Sequence, residues 1–477
     1  MFTPSPHQQR IFDFIKTQKG SAVIEAVAGS GKTTTVLRAL DYASGSHIFL
    51  AFNKSIAAEL KHKAPGVNAR TFHALTFSAV KAVKKFKDIT PTKMRMLTRK
   101  RFADQTTYKT YGSFVTKLVA LGKQAGIGAI APDSFQEWYK IIEHHGLEFD
   151  TINGNYEKAI EFASKLLAES NSSDLVDFDD LLYLAIKENV RLPQYDYVFV
   201  DEAQDTNLIQ REIIKKLMKP NSRLFAVGDP AQAIYGFRGA DSDSIALIGE
   251  EFQCARLPLT VSYRCPKQVV AFARQWVSHI EPAPNAKEGV VEHLDEFSYQ
   301  QFSAGDLVVC RNTKPLVALA YKLLKAQRPF YILGKEIGQG LRSLVESLRP
   351  ESVEDLLAKL DRWEDKEVAA ALKKQEEDRA EGIKDKADSV RCLLSSCNTV
   401  HDLFILIEEM FEVKENATML STIHKAKGLE AERVFWLNKP TEMPRWAKLP
   451  WQQQQEINLY YVAATRAKDS LFMIYED

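Results

Sequence analysis

The sequence predicts an α/β fold of parallel sheets with crossover helices, divided over more than one domain. Three observations carry this. The chain has 477 residues, too many for one domain at roughly 100–200 residues each, so two to four are expected. Short apolar runs rich in β-branched and aromatic residues alternate with helix-like segments, the pattern of strands buried on both faces. Two long segments, 81–171 and 336–412, interrupt that pattern with no clear buried strand.

The strand candidates run in order. They are SAVIEAVA (21–28), HIFLAF (47–52), YDYVFVDEA (195–203), RLFAVGD (223–229), DLVVCR (306–311), TMLSTI (418–423), RVFWLN (433–438) and SLFMIY (470–475). The first strand-poor segment is basic between Lys81 and Lys123, where twelve Lys and Arg face Asp88 and Asp104. It reads either as solvated helical surface or as a phosphate-tracking or duplex-facing face. The second is dense in Glu, Lys, Asp and Ala over 351–390. Both are expected to be helical insertions into α/β domains.

Composition bounds the function. With 45% hydrophobic and 26% charged residues, wholesale disorder and fibrous chains are excluded. Sixty-three basic side chains against 62 acidic ones leave a net charge of +1. Any nucleic-acid site must then come from local patches and stacking surfaces. Five scattered cysteines, with no CxxC pair, fit reduced thiols and argue against a zinc ribbon. The N-terminus carries no signal-peptide pattern, and no stretch approaches about 18 apolar residues. A cytoplasmic, nucleoid-associated location without membrane contact is expected.

Two motifs carry chemistry. AVAGSGKTT follows a strand and should open a helix. Backbone N–H groups around Ala28, Gly29, Ser30 and Gly31 can close on phosphates, aided by the positive end of the helix. Lys32 can reach the β- and γ-phosphates, Thr33 can ligate Mg²⁺, and Thr34 is counted with them as nucleotide-binding. The strict pattern wants Gly at position 26, where Ala26 stands. VFVDEAQD places Asp201 and Glu202 at the end of a very apolar strand. Such a strand delivers an Asp to the Mg²⁺ shell, and the adjacent Glu can position and deprotonate water. Asp201 follows Lys32 by 169 positions, more than a simple sheet needs, which supports an insertion between them.

Nine segments in order then resemble a superfamily 1 helicase of the UvrD/Rep type, in a compact form. They are PHQQRIF, AVAGSGKT, NKSIAAEL, TFHAL, VDEAQD, VGDPAQAIYGFRGA, SYRCP, STIHKAKGLE and NLYYVAATRA. The resemblance implies two RecA-like P-loop NTPase domains with ATP between them, each interrupted by a helical insertion. Domain 1A would be 1–80 and 172–258, and insertion 1B 81–171. Domain 2A would be 259–335 and 413–477, and insertion 2B 336–412.

It also implies site roles. Gln8 would read adenine, Tyr263 stack on the base and Glu430 contact the ribose. Gln232 would sense the γ-phosphate, while Arg264 and Arg466 would act as arginine fingers. Such fingers contribute about 10³–10⁵ in rate in related NTPases. Tyr235 and Phe237, with Arg238, would form a stacking ladder for single-stranded DNA, although alternating aromatics also describe a buried strand. Aromatic faces accept any base at about 1–3 kcal/mol each. Thr71 and His73 would contact the DNA backbone, and His424 would couple DNA to the ATP site.

Three departures stand out. Ala51-Phe52 replaces the Phe-Thr of many relatives, so a stacking aromatic is missing or shifted by one. The second insertion is short, and no C-terminal tail is expected past the final strand. The resemblance implies an ATP-driven, Mg²⁺-dependent DNA helicase moving 3′→5′ on single strands and at single-strand–duplex junctions. Two alternatives stand beside it: a translocase that strips bound proteins, and an ATP-dependent sensor subunit with a loading or nuclease partner. The residues do not choose among repair, replication, recombination, phage replication and defence.

Overall fold

The computed structural model describes residues 3–148, 154–236, 239–241, 243–295, 297–373, 376–395 and 397–475. The chain divides into two compact units, Met1–Thr260 and Val261–Asp477.

In the first unit, α1 (Pro6–Thr17) opens on a capping box. Ser5 Oγ accepts from the Gln8 N–H, and Gln8 Oε1 accepts from the Ser5 N–H, so two orphan donors are satisfied reciprocally. Three strand–helix pairs follow: β1 (Ala22–Ala26) with α2 (Lys32–Ala39), β2 (His47–Ala51) with α3 (Lys54–Lys63), and β3 (Ala69–Thr71) with α4 (Phe72–Lys84). The chain then leaves the sheet through α5 (Lys93–Arg101), α6 (Gln105–Gln124), α7 (Phe135–His145), α8 (Tyr156–Ser172) and α9 (Phe178–Lys187). It returns with β4 (Tyr195–Val200), α10 (Leu208–Leu217), β5 (Met218–Gly228), α11 (Ser244–Glu251) and β6 (Ala255–Leu259).

The six strands lie in the order β3-β2-β4-β5-β1-β6, each neighbouring pair parallel. Successive side chains point to opposite faces, and both faces are covered. Val23, Ile48, Leu50, Val198, Val200 and Leu224 pack with the helices α4–α10. Ile24, Phe49, Ala51, Phe199, Phe225 and Val227 pack with α1 and α2 on the other side. That double burial is why the strands read as continuous apolar runs.

Most of the twelve basic side chains of 81–123 lie at least partly at the surface, and two do not. Lys93 and Lys123 are fully buried. Asp180 accepts from Lys93 Nζ at 2.6 Å and from Lys123 Nζ at 2.7 Å, and Asp177 lies 3.4 Å from Lys123 Nζ. Desolvation opposes burying the two ammonium groups, and the carboxylate buried between them offsets that cost. These charges pin α5 and α6 to α9.

The second unit begins with the short parallel pair β7 (Val261–Ser262) and β8 (Glu281–Pro282), flanking α12 (Lys267–Ala273). β9 (Val290–Leu294), β10 (Leu307–Cys310), α13 (Thr313–Lys325) and β11 (Phe330–Ile332) follow. Then come α14 (Lys335–Leu348), α15 (Val353–Lys373), α16 (Glu377–Leu394) and α17 (Val400–Phe411). The unit closes with β12 (Thr418–Thr422), α18 (Ile423–Ala426), β13 (Ala431–Leu437), α19 (Pro450–Ala464) and β14 (Ala467–Ile474). Its sheet order is β11-β12-β10-β13-β14-β9, again parallel throughout. Leu356, Leu360, Val390 and Leu393 of α15 and α16 share one apolar core with Val308, Leu420 and Phe435 of the sheet.

All eight expected runs form strands. Short or edge strands escaped the sequence reading: β3, β6, β7, β8, β9 and β11. β6 carries Pro258 and lies at the sheet edge, where a missing N–H costs no ladder bond. The mixed α/β architecture, with two parallel sheets flanked by helices, is that of two RecA-like domains.

Candidate nucleotide and nucleic-acid site

The first unit gathers its chemistry at the C-terminal ends of β1, β4 and β5. Between β1 and α2 the backbone turns through Gly29 at φ 70° and Gly31 at φ 75°, a left-handed conformation that glycine adopts without steric cost. Gly31 caps α2 with no side-chain bond, so the helix presents its first N–H groups. The Ser30 hydroxyl is buried and has no partner among the described residues, while Ala28 is buried and Thr34 is exposed. Gln8 Nε2 donates to Thr35 Oγ1 at 2.9 Å, which seats the amide of α1 beside the loop.

Lys32 Nζ lies 3.6 Å from Glu202 Oε1, and Thr33 Oγ1 donates to Asp201 Oδ2 at 3.3 Å. Burial, then repulsion from Glu202, pushes the Asp201 carboxyl up to about 7 against the pull of Lys32. Burial likewise raises Asp229 above the usual carboxylate range, with Lys32 opposing. Glu202 adopts φ 52°, a left-handed conformation that costs a non-glycine residue about 1–3 kcal/mol and marks functional turns. Gln232 donates from Nε2 to Asp229 Oδ2 at 2.7 Å.

This arrangement fits a phosphate chain with a divalent cation. An orphaned hydroxyl, an uncapped helix start and a lysine face the loop, and the carboxylates Asp201 and Glu202 crowd one cation. Among the described residues no group of three or more His, Cys, Asp or Glu could hold a metal by itself. A hard cation here would take Thr33 and Asp201 together with phosphate oxygens, as Mg²⁺ does.

A second surface lies on the same unit. Phe52 and Tyr235 stack with ring centroids 5.8 Å apart and planes 7° apart. They line a cavity of about 200 Å³ with His73, Gln124, Asp179 and Asn207. Thr71 caps α4, its Oγ1 accepting from the Ala74 N–H at 3.2 Å. His73 sits edge-on to Phe178, and burial lowers its pKa. Phe237 and Arg238 lie outside the described residues.

The comparison with known proteins decides the family. The UvrD/REP helicase N-terminal domain matches residues 7–253, more than half of the chain. The chain belongs to the UvrD/REP helicase family. It is 25% identical over 510 aligned positions to F-box DNA helicase 1 of Gallus gallus, covering 98% of this chain and 48% of that protein. It is 26% identical over 296 positions to the ATP-dependent DNA helicase PcrA of Staphylococcus epidermidis, covering 56% and 39%. It is 25% identical over 305 positions to the ATP-dependent DNA helicase Rep of Escherichia coli, covering 56% and 42%. The chain spans about half the length of these relatives or less.

In this UvrD/REP family member the second unit holds the remaining candidates. Arg264 Nε donates to Glu430 Oε2 at 2.7 Å and its Nη1 to the Thr465 carbonyl at 3.3 Å. Burial works against the charge of Glu430, but the Arg264 guanidinium and Lys468 outweigh it and hold its carboxyl below the usual range. Arg466 is buried and donates to the carbonyls of Val462 and Leu429. Tyr263 is about half exposed. His424 lies on α18.

Sequence reasoning missed two participants, Gln204 and Asp229. The aromatic shifted to Phe52 is legible in the sequence, but its stacking on Tyr235 is not, because the two are distant in the chain. Gln204 and Asp229 stand inside quoted motifs, yet their bond links positions 25 apart, which spacing alone does not reveal.

Proposed function

We propose that the protein is an ATP-driven motor on single-stranded DNA, moving 3′→5′ and opening duplex at junctions. The single observation that carries this reading is the Lys32–Glu202–Asp201–Thr33 cluster beside the glycine loop, in the same unit as the Phe52–Tyr235 stack. Lys32 and the first N–H groups of α2 bind the phosphates of ATP. Thr33 and Asp201 would hold Mg²⁺, whose chemistry there would be to neutralise charge on the phosphate oxygens. Glu202 accepts a proton from water as the water oxygen bonds to the γ-phosphorus and the bond to the β–γ bridging oxygen breaks, giving ADP and phosphate. Gln232 senses the γ-phosphate, Gln8 the adenine, and Tyr263 and Glu430 the base and ribose. Arg264 and Arg466 supply always-charged guanidinium groups to the developing charge. Thr71, His73, Tyr235, Phe237, Arg238 and His424 face DNA, with Phe52 added to them.

Stacking tolerates any base, which suits a motor that must pass all sequences. Opening duplex costs about 1.4 kcal/mol per step, so hydrolysis has to be coupled to stepping. The protein works in the cytoplasm on the nucleoid. The short second insertion, sharing a core with its sheet, favours a second reading in which the motor strips bound proteins and unwinds little, and a loading or nuclease partner fits either.

The test is ATP-dependent strand separation on duplexes alike except for a 3′ or 5′ single-stranded tail. Opening of the 3′-tailed duplex alone is expected. Opening of the 5′-tailed duplex alone would reverse the polarity. ATP turnover with neither opened would transfer the reading to protein stripping or to a partner-dependent subunit.

A further inference from the structure

Gln204 is fully buried, two residues after the left-handed turn at Glu202. Its Nε2 donates to Glu202 Oε2 and, at 3.4 Å, to Asp205 Oδ2. Its Oε1 accepts from the Asp229 N–H at 3.0 Å. The close approach needs glycine behind it: a Cβ on Gly228 would lie 2.4 Å from Gln204 Oε1 and 3.0 Å from its backbone nitrogen.

Asp229 starts the loop that carries Gln232 and then Tyr235. The loop's far end returns to the same turn. The Asp241 N–H donates to the Thr206 carbonyl at 3.3 Å, and Ser244 Oγ donates to the Ala203 carbonyl at 2.8 Å. Both ends of the segment 229–244 are therefore bonded to residues 203–206. One side chain in that turn, Gln204, reaches from the loop to the Glu202 carboxylate.

We propose that Gln204 is a positioning residue that orients the Glu202 carboxylate and ties it to the 229–235 loop, so that single-stranded DNA at Tyr235 sets the rate of ATP turnover. The proposal rests on the reading of Glu202 as the base. A bond donated to a charged carboxylate is worth more than a neutral one, and a base held in one orientation gains rate through geometry alone.

Two near-isosteric variants separate the halves of the link. Gln204→Glu keeps an acceptor toward Asp229 and loses the donor toward Glu202; Gln204→Met loses both. Each is expected to bind a fluorescent ATP analogue with Mg²⁺ within about threefold of wild type while kcat falls about 10- to 100-fold, the loss of one charge-assisted bond. Amide hydrogen exchange at Asp229 should quicken in Gln204→Met and not in Gln204→Glu. In the wild-type chain, oligodeoxythymidylate should slow exchange at Asp229. Unchanged kcat in both variants overturns the proposal. So does a parallel fall of affinity, kcat and melting temperature, which marks a packing role. Unaltered exchange at Asp229 with DNA bound overturns the link to the loop. Glu202→Gln is measured alongside. If it turns over normally, the base assignment falls and this proposal with it. If it is inactive while the Gln204 variants keep full kcat, this proposal alone falls.

Discussion

Single side chains set the chemistry, and two of them give sharp expectations. Lys32 lies on the glycine loop within 3.6 Å of Glu202, and no neutral side chain can replace its charge at the phosphates. Lys32→Ala is expected to reduce ATP hydrolysis by at least about 100-fold, equivalent to the loss of one strong charge-assisted contact in the transition state; a phosphate-release assay checks it. His145 carries a second expectation, of pH. Burial, then the neighbouring His144 and Lys117, lowers its pKa from 6.5 to about 4. Between those values the unfolded chain takes up a proton that the folded chain refuses. Its contribution to stability is thus full above 6.5 and is lost as pH falls toward about 4. Urea melts at pH 7.5 and 5 should show a larger loss of stability for wild type than for His145→Asn. At this scale the sequence was legible where chemistry is contiguous. Gly29, Gly31, Lys32 and Thr33 are adjacent, so the motif is complete in the chain. The Phe52–Tyr235 stack and the Gln204–Asp229 bond were not, because folding alone brings those residues together.

Elements were legible when both faces are buried. β1 and β4 announce themselves because neighbours on each side are apolar and the backbone must be paired. Edge strands such as β6 and β9 keep polar and exposed positions, so their sequences look like loops. Charged helices mislead in the opposite direction. Lys93 and Lys123 read as solvated charge, yet each points into the interior toward Asp180. The reason is pairing: Asp180 also accepts from the Asp177 N–H at 2.9 Å in the capping box of α9, so both of its oxygens are engaged. Burial opposes its charge, and Lys123 and Lys93 together hold its carboxyl below the usual range. Removing that charge leaves two ammonium groups buried without their shared partner. Asp180→Asn is expected to destabilise the first unit by about 3–5 kcal/mol, the usual cost of breaking a buried pair. A companion triple change, Asp180→Leu with Lys93→Met and Lys123→Met, should recover most of that loss, because apolar groups of similar volume can replace a buried ion cluster. Guanidinium titrations of the two variants make the comparison.

The whole molecule is two α/β units, each with its own core. Val23, Leu50, Val198 and Phe114 belong to the first; Val308, Leu316, Leu420 and Val390 belong to the second. A chain of this length with separate cores departs from two-state unfolding, so calorimetry is expected to resolve more than one transition. Core variants assign them. Asp180→Asn should lower the transition of the first unit and leave the other in place. Leu316→Ala, which empties a fully buried position on α13, should lower the second by about 2–5 kcal/mol. Distant sites without shared partners add, so the double variant should show both shifts at their single-variant size. ATP with Mg²⁺ supplies the functional link. A ligand that binds the folded form stabilises it by about 2.7 kcal/mol at one hundred times its dissociation constant. If the glycine loop is the main binding element, the nucleotide should raise the transition that Asp180→Asn lowers, and Lys32→Ala should abolish that rise. A rise confined to the transition marked by Leu316→Ala would move the dominant nucleotide contacts to the unit that carries Arg264 and Arg466.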